Sequence, residues 1–297
     1  MRKAFRPAAF LAILLAIARA ARGTADVAMQ HVTVGGIDRT YQVEVPSDVV
    51  AKPALLVMLH GHGGSGAQMR RYKDIGTVTG DAAVIFYPNG IDRGWSDGRT
   101  QRQGADDIAF VRALIATAQA RYHTDPDRVY VAGMSNGAMM ALRIACQMPE
   151  VAAVAAVSGG LPVQWTNACD PGHPISVLGI DGTADPIVPY DGGGVYNDRN
   201  GDVLSAEATM ATYRKLDRCG AARALPSTPV AADGTSTSFQ VWSGCARGTS
   251  VELATVAGGG HGWPGAKQYL PKRLVGVVSR SFDADTAIWN FLRTKSL

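Results

Sequence analysis

Short, continuous apolar runs alternate with helical patterns along this chain, and that alternation leaves few folds open to it. Ala54-Leu-Leu-Val-Met-Leu-His60 and Ala82-Ala-Val-Ile-Phe-Tyr87 are apolar at successive rather than alternate positions, and glycine or Pro88-Asn-Gly ends each. A strand buried on both faces needs that pattern. Arg128–Gly133, Val151–Val157 and Ile175–Ile180 read as further strands. Helical spacing falls between them over Asp106–Tyr122, with Asp106 or Asp107 as N-cap, and over Asn136–Met148. Val32–Val34 and Tyr41–Val45 form an expected antiparallel opening pair. A helix near Ser205–Leu216, strands near Phe239–Trp242 and Val251–Val256, and a last helix over Ala284–Arg293 complete the set. Strands alternating with helices predict an α/β fold, a mostly parallel central sheet with helices on both faces. No internal repeat, low-complexity linker or second-domain boundary is visible.

The 297 residues, 46% hydrophobic and 18% charged, suit one globular α/β domain. The first residues differ in kind from the rest. A basic start, Met1-Arg-Lys-Ala-Phe-Arg6, leads into an apolar run over Pro7–Ala18 and small residues at Ala18-Arg-Ala20. That is the pattern of a signal peptide, and a dozen apolar residues are too few to span roughly 30 Å of hydrocarbon. The expectation is a signal over 1–23, cleaved after Ala20 or Gly23, and a catalytic domain over 24–297 that is secreted or periplasmic. Without Arg2, Lys3, Arg6 and Arg19 the formal charge of +4 falls to about zero. A neutral surface gives no electrostatic case for nucleic acid or an anionic membrane as partner. Four cysteines behind a signal read as two disulfides. Three pairings are open, and sequence order favours Cys146–Cys169 and Cys219–Cys245, each loop of about 25 residues contributing on the order of 3 kcal/mol. None has metal-ligand spacing, so neither metal nor cofactor is expected.

Gly133-Met-Ser-Asn-Gly137 joins an apolar strand to a helix, the setting in which a sharp turn exposes a serine hydroxyl above the sheet edge. Glycines flank Ser135 because side chains there would strike the neighbouring strand and helix. A serine hydroxyl needs a base to take its proton. Of six histidines, His31, His123 and His173 lie in or beside other elements, and His60 and His62 belong to a glycine-rich loop. His261 remains, in Gly258-Gly-Gly-His-Gly-Trp-Pro-Gly265, a flexible loop from which its ring can reach Ser135. The third member should be a carboxylate after Ile175–Ile180. Asp181 and Asp185 both qualify, and Asp185 is preferred because Gly182 lets the chain turn first and Pro186 directs its exit. Asp181 would instead brace the turn by accepting backbone N–H groups. The order Ser…Asp…His is that of α/β-hydrolases. Backbone N–H groups of Asn136 and His62, the latter in His60-Gly-His-Gly-Gly-Ser-Gly66, are the expected oxyanion donors. A phosphate-cradling role for that loop is disfavoured, since no Walker Lys-Ser/Thr follows it.

Taken together, Leu59-His-Gly-His-Gly-Gly64, Tyr87-Pro-Asn-Gly90, Asp106–Leu114, Asp125–Met140, Gly182–Tyr190 and Gly259–Gly265 resemble the secreted esterase/polyhydroxybutyrate depolymerase family, including its feruloyl-esterase-like members. The resemblance implies a metal-free serine carboxylesterase working through an acyl-enzyme, with Ser135, Asp185 and His261 at the family's catalytic positions. The chain departs from the pattern at Asp181, where such families usually carry His, and at His62, where they usually carry a small residue. Trp263 and Trp95 are candidate walls of the substrate pocket. The expected substrate is an oligomeric or small ester: hydroxyalkanoate oligomers or polymer first, and alternatively feruloyl or acetyl-xylan-type esters of plant polysaccharide. An acyltransferase and a non-catalytic binding module are the remaining classes. Oligomeric state is not legible.

Overall fold

A computed structural model describes residues 27, 29–99, 106–196 and 200–297; the expected signal over 1–23 lies outside them. The strands are β1 (Met29–Val34), β2 (Ile37–Glu44), β3 (Ala54–Leu59), β4 (Ala83–Pro88), β5 (Val129–Met134), β6 (Ala153–Val157), β7 (Ser176–Gly182), β8 (Gly193–Gly194), β9 (Asp202–Val203), β10 (Ala222–Leu225), β11 (Ser236–Trp242) and β12 (Val251–Ala257). All except the small β8–β9 ribbon form one ten-stranded sheet, in the order β1-β2-β4-β3-β5-β6-β7-β12-β11-β10. From β4 to β12 neighbours run parallel. Antiparallel strands close both edges.

The apolar runs sort by pleat, because successive side chains of a strand point to opposite faces. Leu55, Val57 and Leu59 of β3 enter one core with Phe110, Leu114, Met140 and Met210. Ala54, Leu56 and Met58 enter the other with Met69, Ile288 and Leu292. The first core lies under α3 (Asp107–Tyr122), α4 (Asn136–Gln147) and α5 (Ala206–Leu216). The second lies under α1 (Gly66–Tyr72), α2 (Gly76–Thr79) and α7 (Ala284–Leu292), the last preceded by the short helix α6 (Lys272–Val275). A strand covered on both sides has no reason to alternate, which explains the unbroken runs.

Of the two candidate caps, the structure uses both residues differently. Asp106 caps α3 by accepting from Ala109 N–H at 2.9 Å. Asp107 is buried, paired with Arg39 at 2.7 Å, and accepts from Ser96 N–H. Disulfides join Cys146 to Cys169 and Cys219 to Cys245. Among the described residues no helix is long and apolar enough to cross a membrane.

Candidate active site

Every residue singled out for chemistry follows the carboxyl end of a sheet strand: the His60 loop after β3, Ser135 after β5, Asp185 after β7 and His261 after β12. In a parallel sheet those ends share one edge, so segments distant in sequence meet there.

Ser135 sits at the β5–α4 turn with φ 58° and ψ −122°, a backbone state that costs a non-glycine residue on the order of 1–3 kcal/mol. Its neighbours hold it there. Ser135 N–H donates to Val157 O at 2.9 Å, and Ser135 O accepts from Met139 N–H at 3.0 Å. The flanking glycines are required by space. A Cβ on Gly133 would lie 2.3 Å from Gly137 O, and one on Gly137 would lie 2.4 Å from Leu59 O. Asn136 opens α4, so its backbone N–H is among those a helix leaves without an internal partner. The Asn136 side chain acts separately from that N–H. Its oxygen accepts from Trp95 N–H at 2.7 Å, and its nitrogen donates to Trp95 O and to Asp97. This anchors the 95–97 segment to the helix start.

His261 Nδ1 lies 2.7 Å from Asp185 Oδ2, both side chains buried. A carboxylate acceptor there places the ring proton on Nδ1 and leaves Nε2 with a lone pair. Asp185 is itself fixed, its other oxygen accepting from the N–H groups of Ile187 and Val188 at 2.8 and 2.9 Å. The structure separates it from Asp181, which accepts from Gly159 N–H at 3.0 Å. Burial pushes Asp181 up to about 7, and the negative Asp185 adds to the rise.

The loop carrying His261 is not the loose segment its glycines suggested. Gly260 N–H donates to Val277 O and His261 N–H to Val275 O, while Ser158 Oγ donates to Gly262 O. A Cβ on Gly260 would lie 2.2 Å from Val275 O. The glycines allow two backbone segments to touch.

Ser135 and His261 line one cavity of about 420 Å³ together with Gly61 and His62. A Cβ on Gly61 would stand 3.9 Å from Ser135 Oγ, so the glycine-rich loop passes directly over the serine. Met69, Tyr72, Met134 and Tyr269 also line the cavity. The two tyrosine rings meet edge-on with centroids 5.5 Å apart, and Tyr269 Oη donates to His261 O at 3.0 Å. Burial pushes Tyr72 up to about 12, so it stays a neutral phenol.

The expectation that Trp263 and Trp95 wall this pocket is not met. Trp263 is fully buried, its indole N–H donating to Asp285 at 3.0 Å, and Asp285 also pairs with Lys73 at 2.9 Å. Trp95 is buried against the His60 ring and donates to His60 O at 2.8 Å. A buried indole must satisfy its N–H inside the protein, and both spend it bracing active-site loops. The true wall has no signal in the sequence. Met69 and Tyr72 share a face of α1 by their i, i+3 spacing, yet nothing local tells that face to look toward Ser135. Tyr269 stands in no motif.

These features define a hydrolase of the α/β-hydrolase fold. The family model described as Esterase PHB depolymerase matches residues 40–192. The chain is 33% identical over 283 residues to the protein named "Putative esterase NocK" of Nocardia uniformis subsp. tsuyamanensis, covering 89% of this chain and 82% of that one. The chain therefore belongs to the esterase/PHB depolymerase family and is a serine carboxylesterase. It is 27% identical to feruloyl esterase B of Piromyces equi over 76% of its own length, but spans only 44% of that protein. The solved acetyl xylan esterase from Aspergillus awamori shares the fold, with TM-score 0.57, 17% identity, and coverage of 79% of this chain and 94% of that one.

Proposed function

We propose that Ser135, His261 and Asp185 act as a hydrolytic triad on carboxylic esters. His261 Nε2 takes the proton of Ser135 Oγ as the oxygen attacks the ester carbonyl. The proton then passes to the departing alkoxide as the acyl-enzyme forms. Water repeats the sequence: His261 takes its proton, hydroxide adds to the acyl carbon, and Ser135 Oγ leaves and is reprotonated. Asp185 holds the imidazole in the Nδ1–H form and stabilises its cation without taking the proton. Each tetrahedral oxyanion sits against the backbone N–H groups of Asn136 and His62. One observation carries the reading. A serine held in a strained strand–helix turn shares a cavity with an imidazole whose other nitrogen is bonded to a buried carboxylate.

For the acyl group, the Tyr72, Tyr269, Met69 and Met134 wall supports a planar aromatic such as a hydroxycinnamoyl ester, since aromatic rings gain from edge and sulfur contacts. The feruloyl esterases among its relatives point the same way. Hydroxyalkanoate oligomers are the second reading, favoured by the family's description. Two disulfides support a secreted or periplasmic enzyme. A fluorophosphonate probe should label the protein once, at Ser135, and Ser135→Ala should abolish both labelling and turnover; labelling elsewhere refutes the triad. Turnover of methyl ferulate above that of hydroxybutyrate trimer is the expected ranking, and the reverse selects the second reading.

A further inference from the structure

Arg93 has no part in the hydrolytic scheme, yet the structure builds it against the cavity that holds Ser135. Its backbone is strained. Asp92 and Arg93 follow one another at φ 49° and φ 58°, a left-handed state that residues other than glycine seldom adopt. The turn is held from two sides. Arg93 N–H donates to Gly90 O at 3.2 Å, and Arg93 O accepts from Gly63 N–H at 2.7 Å. A Cβ on Gly90 would lie 2.2 Å from Gly94 O, so the turn closes too tightly for a side chain there. Strain that neighbours hold in place is a pointer to function.

Two neutral acceptors aim the side chain. Nε donates to Gly64 O and Nη2 to Gln68 Oε1, each at 3.3 Å. Gly64 and Gln68 both line the cavity. Gly64 N–H in turn donates to the carbonyl of Gly61, the glycine that passes over Ser135. The guanidinium therefore stands at the cavity rim, one turn of the glycine-rich loop from the nucleophile. A carbonyl and an amide orient its charge without cancelling it. Arg70 and Arg99 pair with Glu44 and Asp97, but among the described residues no Asp or Glu forms an ion pair with Arg93. None of the described residues that line the cavity is acidic. The two contacts occupy the edge formed by Nε and Nη2, and the residue is exposed. The end-on edge, one hydrogen from each Nη, is the fork that grips both oxygens of a carboxylate.

We propose that Arg93 is a specificity residue that binds a carboxylate carried by the departing alcohol half of the ester. This rests on the triad reading above. That reading seats the acyl group on Tyr72, Tyr269, Met69 and Met134, whereas Arg93 bonds to Gly64 and Gln68, which assigns it to the alcohol half. Two kinds of alcohol bring such a group. One is the carboxyl end of a hydroxyacid oligomer, and the other is a uronic acid unit of a polysaccharide. A neutral alcohol offers the fork nothing to hold.

Two substrate pairs test this, one for each source of the carboxylate. The first is hydroxybutyrate trimer against its methyl ester, and the second is feruloyl galacturonic acid against feruloyl galactose. The readout is the ratio of kcat/KM for the acid to that for its neutral partner, which cancels any general effect of a substitution on the loop. In the parent the ratio should reach about 10 in at least one pair, the scale of a charge-assisted hydrogen bond, and the pair that shows it names the source. Arg93→Gln should bring that ratio down to about 1, with the change carried mainly by KM for the acid. Should Arg93→Gln not fold, Arg93→Met removes the same charge and is expected to do the same. A parent ratio near unity in both pairs, no turnover of either pair, or a preference that survives loss of the Arg93 charge overturns the proposal. p-Nitrophenyl acetate keeps the two failures apart, because a parent that does not turn it over overturns the triad reading instead.

Discussion

Asp181 and Asp185 stand four residues apart at the exit of β7, yet their surroundings give them opposite characters. Asp185 receives two backbone N–H groups and an imidazole N–H, so its negative charge is met from three directions. Asp181 receives one backbone N–H and is otherwise enclosed, so burial favours its protonated form up to about pH 7. Partners, not residue type, decide which acid can serve as a fixed charge. The four-residue turn is what parts them: Gly182 ends the strand, and Asp185 N–H returns to Gly182 O at 3.3 Å.

The comparison breaks most decisively at Asp185. Asp185→Asn should cut kcat on p-nitrophenyl acetate by about four decades, because the imidazole loses the partner that sets its tautomer. A loss below about tenfold, or a larger loss in Asp181→Asn, would reverse the two assignments. Asp181→Asn is expected to leave kcat within about threefold and to act on stability instead. A carboxyl with a pKa near 7 in the folded state and near 3.9 unfolded binds an extra proton on folding between those values. Parent stability therefore falls as pH rises from about 4 to 7 and levels off above. The variant keeps an acceptor for Gly159 N–H and has nothing to ionise. Its gain over the parent should grow from pH 5 to pH 8, reaching at most about 4 kcal/mol. Denaturant melts at the two pH values measure this, and a gain that does not vary with pH would show that Asp181 is already ionised in the fold. Gly182→Ala probes the turn between them. Its Cβ would lie 2.3 Å from Gly259 O, a backbone contact that cannot move cheaply, so a loss of about 1–3 kcal/mol is expected. Because Ala184 N–H also binds Gly259 O, the shift should reach Asp185 and lower kcat as well. A melt unchanged from the parent would show that the β7 exit and the base loop are not tightly packed.

Much of the site is legible in the sequence because its signals are local. Gly133-Met-Ser-Asn-Gly137 joins a strand to a helix within five residues, and Gly133 is demanded by the helix the motif itself opens, although the backbone that demands Gly137 is Leu59 O of β3. The preference for Asp185 over Asp181 comes from a turn residue between them. The tryptophans fail for the opposite reason. Trp263 looks like a pocket wall by its distance from His261 in sequence, but its indole N–H is satisfied by Asp285, which arrives on α7. The glycines around His261 look like freedom, and become tight packing only once the 275–277 segment lies against them.

What the residues determined alone was periodicity and punctuation: which runs are strands buried on both faces, where the chain turns sharply, and the order in which nucleophile, acid and base follow those strands. Tertiary structure decided everything that depends on partners from elsewhere, including which carboxylate meets the imidazole and which tyrosines line the cavity with the serine. Backbone conformation is set by neighbours in sequence, whereas burial and hydrogen-bond satisfaction are set by neighbours in space, such as the 76 residues that separate His261 from Asp185.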